Sequence, residues 1–203
     1  MTTESTLTHS HNTHPAAFTQ AQLEWLPWLE PLPEAELTER HFAGLVDASR
    51  AKSPYFRLLA RDPDILGART RTDKDIFYNP NAGLPRAERE LAAAATSRLN
   101  GCIFCASVHA RFASQFSKRK EDIQRLLDVG IGAKIDERWD AIIAASVALS
   151  TTPIGFGPDH IRRLRDVGLD EAAIIDVINS AAFFNWANRL MLSLGEPQAI
   201  SND

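Results

Sequence analysis

The stretch from Leu84 to Ser117 constrains the fold more than any other part of this chain. Leu84-Pro85 opens a run that reaches Asn100. It carries acids at Glu88 and Glu90 in its early turns, where the positive end of a helix dipole favours them. Asn100-Gly101 then reads as a stop, because glycine readily takes the left-handed conformation that ends a helix. A second run starts at the cysteines and continues to about Ser117. Two apolar helix-length segments joined by so short a break predict an antiparallel helical pair.

The same punctuation recurs along the chain. Ser53-Pro54 and Asp62-Pro63 each place a capping residue before a proline at the first helical position. Further helices are expected at about 119–129, 136–150, 158–167 and 170–194. No segment alternates convincingly between apolar and polar residues as a half-buried strand does, so the expected fold is all-α. Arg125-Leu-Leu-Asp-Val-Gly130 echoes Arg163-Leu-Arg-Asp-Val-Gly168. Two similar helix C-caps explain the echo; a duplicated helix pair is the alternative.

Two regions fall outside the helical pattern. Residues 1–16 are polar and uncapped, with His9, His11 and His14. They read as a disordered tail ahead of a single domain over 17–203, a metal-binding tail being the other reading. Trp25-Leu-Pro-Trp-Leu-Glu-Pro-Leu-Pro33 contains three prolines, which forbid a regular helix. This segment is expected to be an apolar strap lying over a neighbouring surface.

Composition bounds the function. The chain has 203 residues, enough for one domain with a sizeable core, and its net charge of -4 argues against a broad basic surface for nucleic acid. The longest apolar runs are too short to span a bilayer. Residues 1–16 lack the apolar stretch of a signal peptide. The expected setting is therefore the cytoplasm, where a cysteine pair is more often catalytic or metal-binding than a structural staple.

Cys102 and Cys105 are the only cysteines. At i and i+3 on a helix they share one face, and at the helix N-terminus the backbone dipole stabilises a thiolate. His109 lies one turn beyond Cys105, so Cys105 is expected to be the more acidic thiol. Glu90 precedes the turn by about ten residues, roughly 15 Å of helix, and His109 follows it by about eight, roughly 12 Å. In an antiparallel pair the two reach similar heights, and Glu90 can orient the imidazole or reach Cys105.

Glu90, eleven residues, Cys102-Ile-Phe-Cys105, three residues and His109 together resemble the core motif of the alkylhydroperoxidase D (AhpD)-like branch of the carboxymuconolactone decarboxylase family. The resemblance extends over about residues 28–195, including Asn188-Arg189-Leu190, with the core motif within 85–117. It implies an AhpD-like helical bundle and a thiol-dependent peroxidase in which Cys105 is peroxidatic and Cys102 resolving. It further implies a peroxide substrate, a thiol or lipoyl-type reductant, no cofactor, and a homo-oligomer, trimer or hexamer, in which the strap can cover another subunit. One position departs from the pattern. Many close relatives carry a histidine just before the second cysteine, where this chain has Phe104.

Other readings use the same residues. The thiols can be buried and inert, as free cysteines often are. Zinc held by Cys102, Cys105, His109 and Glu90 lacks the second close ligand pair of usual structural sites. Glu90 alone can serve the helix dipole, and His109 can be a satisfied core histidine. His41 and His160 have no visible partner. Phe183, Phe184 and Trp186 are expected in the core or a subunit interface. Asn188 and Arg189 are expected to anchor helix ends more than to line a site. Besides peroxidase chemistry, a lactone decarboxylase-type enzyme and a redox-sensing oligomer remain as alternatives.

Overall fold

A computed structural model of the chain describes residues 6–200. Among these, the short helices α1 (Glu39–Leu45) and α2 (Pro54–Leu59) precede α3 (Pro63–Tyr78). The pair α4 (Arg86–Leu99) and α5 (Ile103–Ser117) comes next, followed by α6 (Lys120–Val129), α7 (Glu137–Ser150), α8 (Pro158–Asp166) and the long α9 (Glu171–Leu194). Strands β1 (Leu23–Pro27) and β2 (Gly195–Ala199) form one small antiparallel sheet. The all-α expectation holds, with this ribbon as its one departure.

Helix α4 is the hub. Ala92, Ala93, Ala94 and Ala95 are fully buried, and the helix packs on α5, α7 and α9 together. Small side chains on all faces let three helices approach one axis closely. On one side Leu91, Ile123, Leu126, Ile142, Ile143 and Val177 form the larger apolar cluster. On the other, Trp25, Tyr55, Phe77, Phe183, Phe184 and Met191 form a more aromatic cluster that includes both cysteines. Glu88, 7% exposed, accepts two hydrogen bonds at 2.7 Å from the guanidinium of Arg138, which ties α4 to α7.

The caps explain the boundaries. The carboxylates of Asp62, Asp136 and Asp170 accept backbone N–H groups of Ile65, Trp139 and Ala173 at the starts of α3, α7 and α9. Ser53 precedes Pro54 as expected, but its side chain makes no cap bond. The echoed glycines, Gly130 and Gly168, have φ of 89° and 85° and follow the ends of α6 and α8, as two matching stops. His41 and His160 also serve helix starts, accepting the N–H groups of Thr38 and Gly157.

The strap needs correction. Part of it is strand β1, whose neighbour is the chain's own C-terminal segment, with Trp25 opposite Pro197 and Pro27 opposite Gly195. Prolines are tolerated here because a two-stranded ribbon is all edge, so a missing N–H need not break a ladder. Trp25 is buried edge-on against Tyr55, ring centroids 5.3 Å apart. The expected disordered tail is corrected as well for residues 6–16; residues 1–5 lie outside the described residues. Leu7 N–H donates to the Trp28 carbonyl at 2.8 Å, Ala199 N–H to that of Thr13 at 2.8 Å, and His9 Nε2 to that of Pro27 at 2.7 Å. The ribbon's outer backbone groups need partners, and this polar segment supplies them.

Gly195 has an extended backbone that any residue adopts, so its requirement is space. A Cβ there would meet the Leu26 carbonyl and the Trp25 ring, whereas one at Gly132 would meet nothing. We expect Gly195→Ala to destabilise the protein by about 1–3 kcal/mol through overpacking, and Gly132→Ala to stay within about 0.5 kcal/mol of wild type. Urea denaturation compares them; equal midpoints would show that the ribbon yields without cost.

Candidate active site

The α4–α5 turn builds the site. Gly101 takes φ of 78°, and Cys102 N–H donates to the Ser97 carbonyl at 3.0 Å, the long bond of a Schellman stop. The Cys102 carbonyl then accepts the Ala106 N–H at 3.0 Å, the first bond of α5. One turn thus ends a helix and sets Cys102 at the N-cap of the next, with Cys105 in its first turn. Both cysteines are free and buried.

The turn also fixes the register of the two helices. His109 Nδ1 donates to Glu90 Oε2 at 2.6 Å, in a site where Glu90 is 1% exposed. The other Glu90 oxygen accepts from Arg86 Nε at 3.1 Å, one helical turn earlier. The Arg86 guanidinium rests on the rings of Tyr78 and Phe116, 4.1 and 4.2 Å from their centroids. Phe77 and Phe184 hold the imidazole, ring centroids 5.1 and 3.9 Å away. The helix pair therefore brings Glu90 and His109 together as expected.

His109 makes no hydrogen bond to either cysteine among the described residues. The expected ranking of the thiols is reversed with it. A hydrogen bond from the Cys105 thiol holds Cys102 below the usual thiol range despite burial, helped by the Cys105 backbone N–H and by Asn188. That same bond, reinforced by burial, pushes Cys105 well above it. The i+4 spacing does place His109 on the cysteine face, but Glu90 captures the imidazole's Nδ1 while the N-cap position favours charge on Cys102.

Acidity and access are divided. Cys105 lines a cavity of about 300 Å³ with His109, Glu90, Arg86, Arg69 and a set of aromatic rings from Trp25 to Phe184. Cys102 lines a smaller one of about 60 Å³, beside Gly101, His14 and Met191. Phe104 lines both.

Arg86, Arg69 and Tyr55 escaped the sequence reading. Arg86 was legible only as an i–4 neighbour of Glu90. Asn188, expected to anchor a helix end, is fully buried, donates to Ser97 Oγ at 3.0 Å and accepts from Asn100 Nδ2 at 3.0 Å, pinning α9 to the turn beside the thiols. Arg69 and Tyr55 reach the cavity from α3 and α2, with no motif to announce them. Arg189, by contrast, is exposed and bonds only to Asn185. Among the described residues no cluster of three or more His, Cys, Asp or Glu side chains is arranged to hold a metal.

Residues 63–145, which contain all four motif positions, match the model of the Carboxymuconolactone decarboxylase family. No curated protein sequence matches the chain. The fold is similar to an uncharacterized peroxidase-related protein from Ralstonia eutropha JMP134, described as an alkylhydroperoxidase AhpD core. That likeness has a TM-score of 0.68 at 21% identity and covers 90% of this chain and 92% of that one. An uncharacterized peroxidase-related protein from Silicibacter sp. TM1040 gives 0.67 at 22%, covering 94% and 96%. The debrominase Bmp8, as a Cys→Ala variant in complex with 2,3,4-tribromopyrrole, gives 0.64 at 20%, covering 81% and 87%. At these identities the likeness speaks for the fold alone.

The thiol ranking is open to titration. In the reduced protein, ultraviolet thiolate absorbance should show one thiol ionising below the ordinary cysteine value and the second staying protonated well above it. In Cys102→Ser the Cys105 thiol should move back toward the ordinary value, because its hydrogen bond to a neighbouring thiolate is gone. If mass mapping of alkylation in the wild type finds Cys105 ionised first, the charge assignment is wrong.

Proposed function

We propose that this chain, a carboxymuconolactone decarboxylase-family protein of the AhpD-like branch, is a dithiol peroxidase. The observation that carries the reading is the side-by-side pair of free thiols at the start of α5, one of which opens into a cavity shared with a hydrogen-bonded His109–Glu90 pair.

In this scheme Cys105 is the attacking thiol because it faces the larger cavity. His109, oriented through Nδ1 by Glu90, receives the Cys105 proton at Nε2 through a water. The Cys105 sulfur attacks the distal oxygen of the hydroperoxide, the S–O bond forms as the O–O bond breaks, Cys105 becomes a sulfenic acid, and the departing alkoxide takes that proton and leaves as an alcohol. The Cys102 thiolate attacks the Cys105 sulfur. Hydroxide is expelled, gains a proton and leaves as water, and a Cys102–Cys105 disulfide remains. A low-pKa resolving thiol suits this step, since it needs no separate base. A small dithiol or a lipoyl group then returns two electrons and two protons.

A second reading has one observation in its favour. Aromatic rings dominate the cavity wall, and one fold relative is a debrominase seen with a brominated pyrrole. The same dithiol holds the two electrons needed to replace a ring bromine by hydrogen, giving the debrominated ring, a disulfide, bromide and a proton. Lactone decarboxylase-type chemistry, by contrast, has no use for the thiols and would survive their loss.

Two expectations follow for assembly and location. Ile175 and Trp186, three turns apart on α9, are about half exposed at 54% and 41%. We expect them to be covered in a homo-oligomer, a trimer or hexamer, and light scattering showing a monomer at micromolar concentration would rule this out. No helix among the described residues is long and apolar enough to cross a membrane; a cytoplasmic protein is proposed.

The deciding assay is consumption of cumene hydroperoxide with a dithiol reductant. Cys105→Ser and Cys102→Ser should abolish turnover, and His109→Ala and Glu90→Gln should each slow it by about 10²–10⁴-fold. Full activity in both of the latter would make the pair structural and end the proposed mechanism. Bromide release from 2,3,4-tribromopyrrole, without peroxide consumption, would favour the second reading.

A further inference from the structure

The Arg69 guanidinium and the Tyr55 hydroxyl are polar cavity groups that the dithiol scheme does not use. Arg69, on α3, is 8% exposed, yet its Nε and Nη1 have no hydrogen-bond partner. Its nearest carboxylate oxygen, Asp73 Oδ2, is 3.9 Å away, beyond hydrogen-bond range. That oxygen is also approached by Arg50 Nη2 at 3.4 Å. The Arg69 guanidinium is packed instead on aromatic faces, 5.3 Å from the centroid of Phe183, 5.5 Å from Phe56 and 5.9 Å from Tyr55. Tyr55, on α2, is 6% exposed, and its buried hydroxyl has no acceptor, its polar neighbour being the Arg69 guanidinium, which can only donate. Burial pushes the phenol up to about 12, so it keeps its proton and can donate.

The charges around this pair do not cancel. Two guanidiniums, Arg50 and Arg69, share the single carboxylate of Asp73. The other charged wall residues, Arg86 and Glu90, are paired with each other. One positive charge and at least three donors are left over in a cavity whose walls are otherwise largely apolar.

We propose that Arg69 and Tyr55 bind the carboxylate of a compact, mainly apolar organic acid in the cavity that holds Cys105. A carboxylate offers acceptor sites for the guanidinium and phenol donors at once and supplies the missing negative charge. The rings suit an aromatic or branched body, and about 300 Å³ is at the small end of ligand sites. A neutral ligand can accept from these donors but leaves the buried positive charge uncompensated, which the site discriminates against. The inference rests on the peroxidase reading only for the reacting group: there, the substrate is a hydroperoxide of such an acid.

Binding tests the proposal apart from turnover. The reduced full-length protein is titrated calorimetrically with phenylacetate and, separately, with phenylacetamide, which has the same ring and no charge. Phenylacetate should bind about 10–100-fold more tightly. Arg69→Met should level the two affinities, Tyr55→Phe should narrow the gap by about threefold to tenfold, and Cys105→Ser should keep it. Equal affinities in the wild type, no measurable binding of either compound, or an undiminished preference in Arg69→Met would each overturn the proposal. Arg69→Met is expected to fold, since it removes a buried charge without removing a hydrogen bond. If it does not fold, an unchanged preference in Tyr55→Phe overturns the proposal instead. A preference levelled by Arg69→Met, with no wild-type turnover of either cumene hydroperoxide or its para-carboxylate analogue, would leave the acid site standing and remove the peroxidase reading.

Discussion

The site depends on the tight connection between α4 and α5. With Gly101 in the left-handed region and Cys102 N–H bonded to the Ser97 carbonyl, the chain reverses within three residues. So short a reversal leaves the helices no freedom to slide past each other. Glu90 and His109, nineteen residues apart, are then bound to meet, and their 2.6 Å bond is the consequence. The same turn delivers Cys102 to an N-cap, where its sulfur can take charge. A longer loop would satisfy the caps equally well but would specify neither arrangement.

The alanines of α4 make that arrangement compatible with a core. A helix buried on all faces must let its neighbours in, and Ala92–Ala95 give α5, α7 and α9 room to close around it. Several of the polar groups buried there are partnered across the helices. Glu88 takes two bonds from Arg138, and Asn188 bridges Ser97 and Asn100. Breaking a buried ion pair from one side typically costs about 3–5 kcal/mol; Arg138, partly exposed, should cost less. Arg69 stands outside this pattern. Burying an ion costs several kcal/mol even after relaxation. A cation–π contact returns about 0.5–2 kcal/mol. The ring contacts can offset a good part of the penalty, but they leave the N–H groups without acceptors.

Helices were legible because their stops are local. Proline at the first position, an Asx cap before it and a left-handed glycine after the end all act within a few residues. The boundaries of α4 through α9 therefore came close to what the sequence suggested. The motif residues were legible because their spacing encodes the antiparallel pairing. The strap and the N-terminal residues were misread because their partners lie at the other end of the chain. Nothing local in Trp25–Pro27 announces pairing with Gly195–Pro197, and a polar stretch such as His9–Thr13 looks disordered until distant carbonyls and N–H groups need it.

The thiol ranking failed for a related reason. Spacing says which groups can meet, while acidity depends on which hydrogen bonds are actually made. His109 is close to Cys105 in sequence but spends its Nδ1 on Glu90. Glu90 in turn is held by Arg86, whose charge rests on Tyr78 and Phe116. This chain of contacts fixes the imidazole so that only Nε2 remains for chemistry. Meanwhile the two thiols settle the charge between themselves, toward the N-cap sulfur and away from the larger cavity. The reduced site therefore favours the proton on the thiol facing the larger cavity and negative charge on the one behind it. Such a division suits the proposed two-step dithiol reaction, in which the cavity-facing thiol stays protonated until a substrate and its proton acceptor are in place.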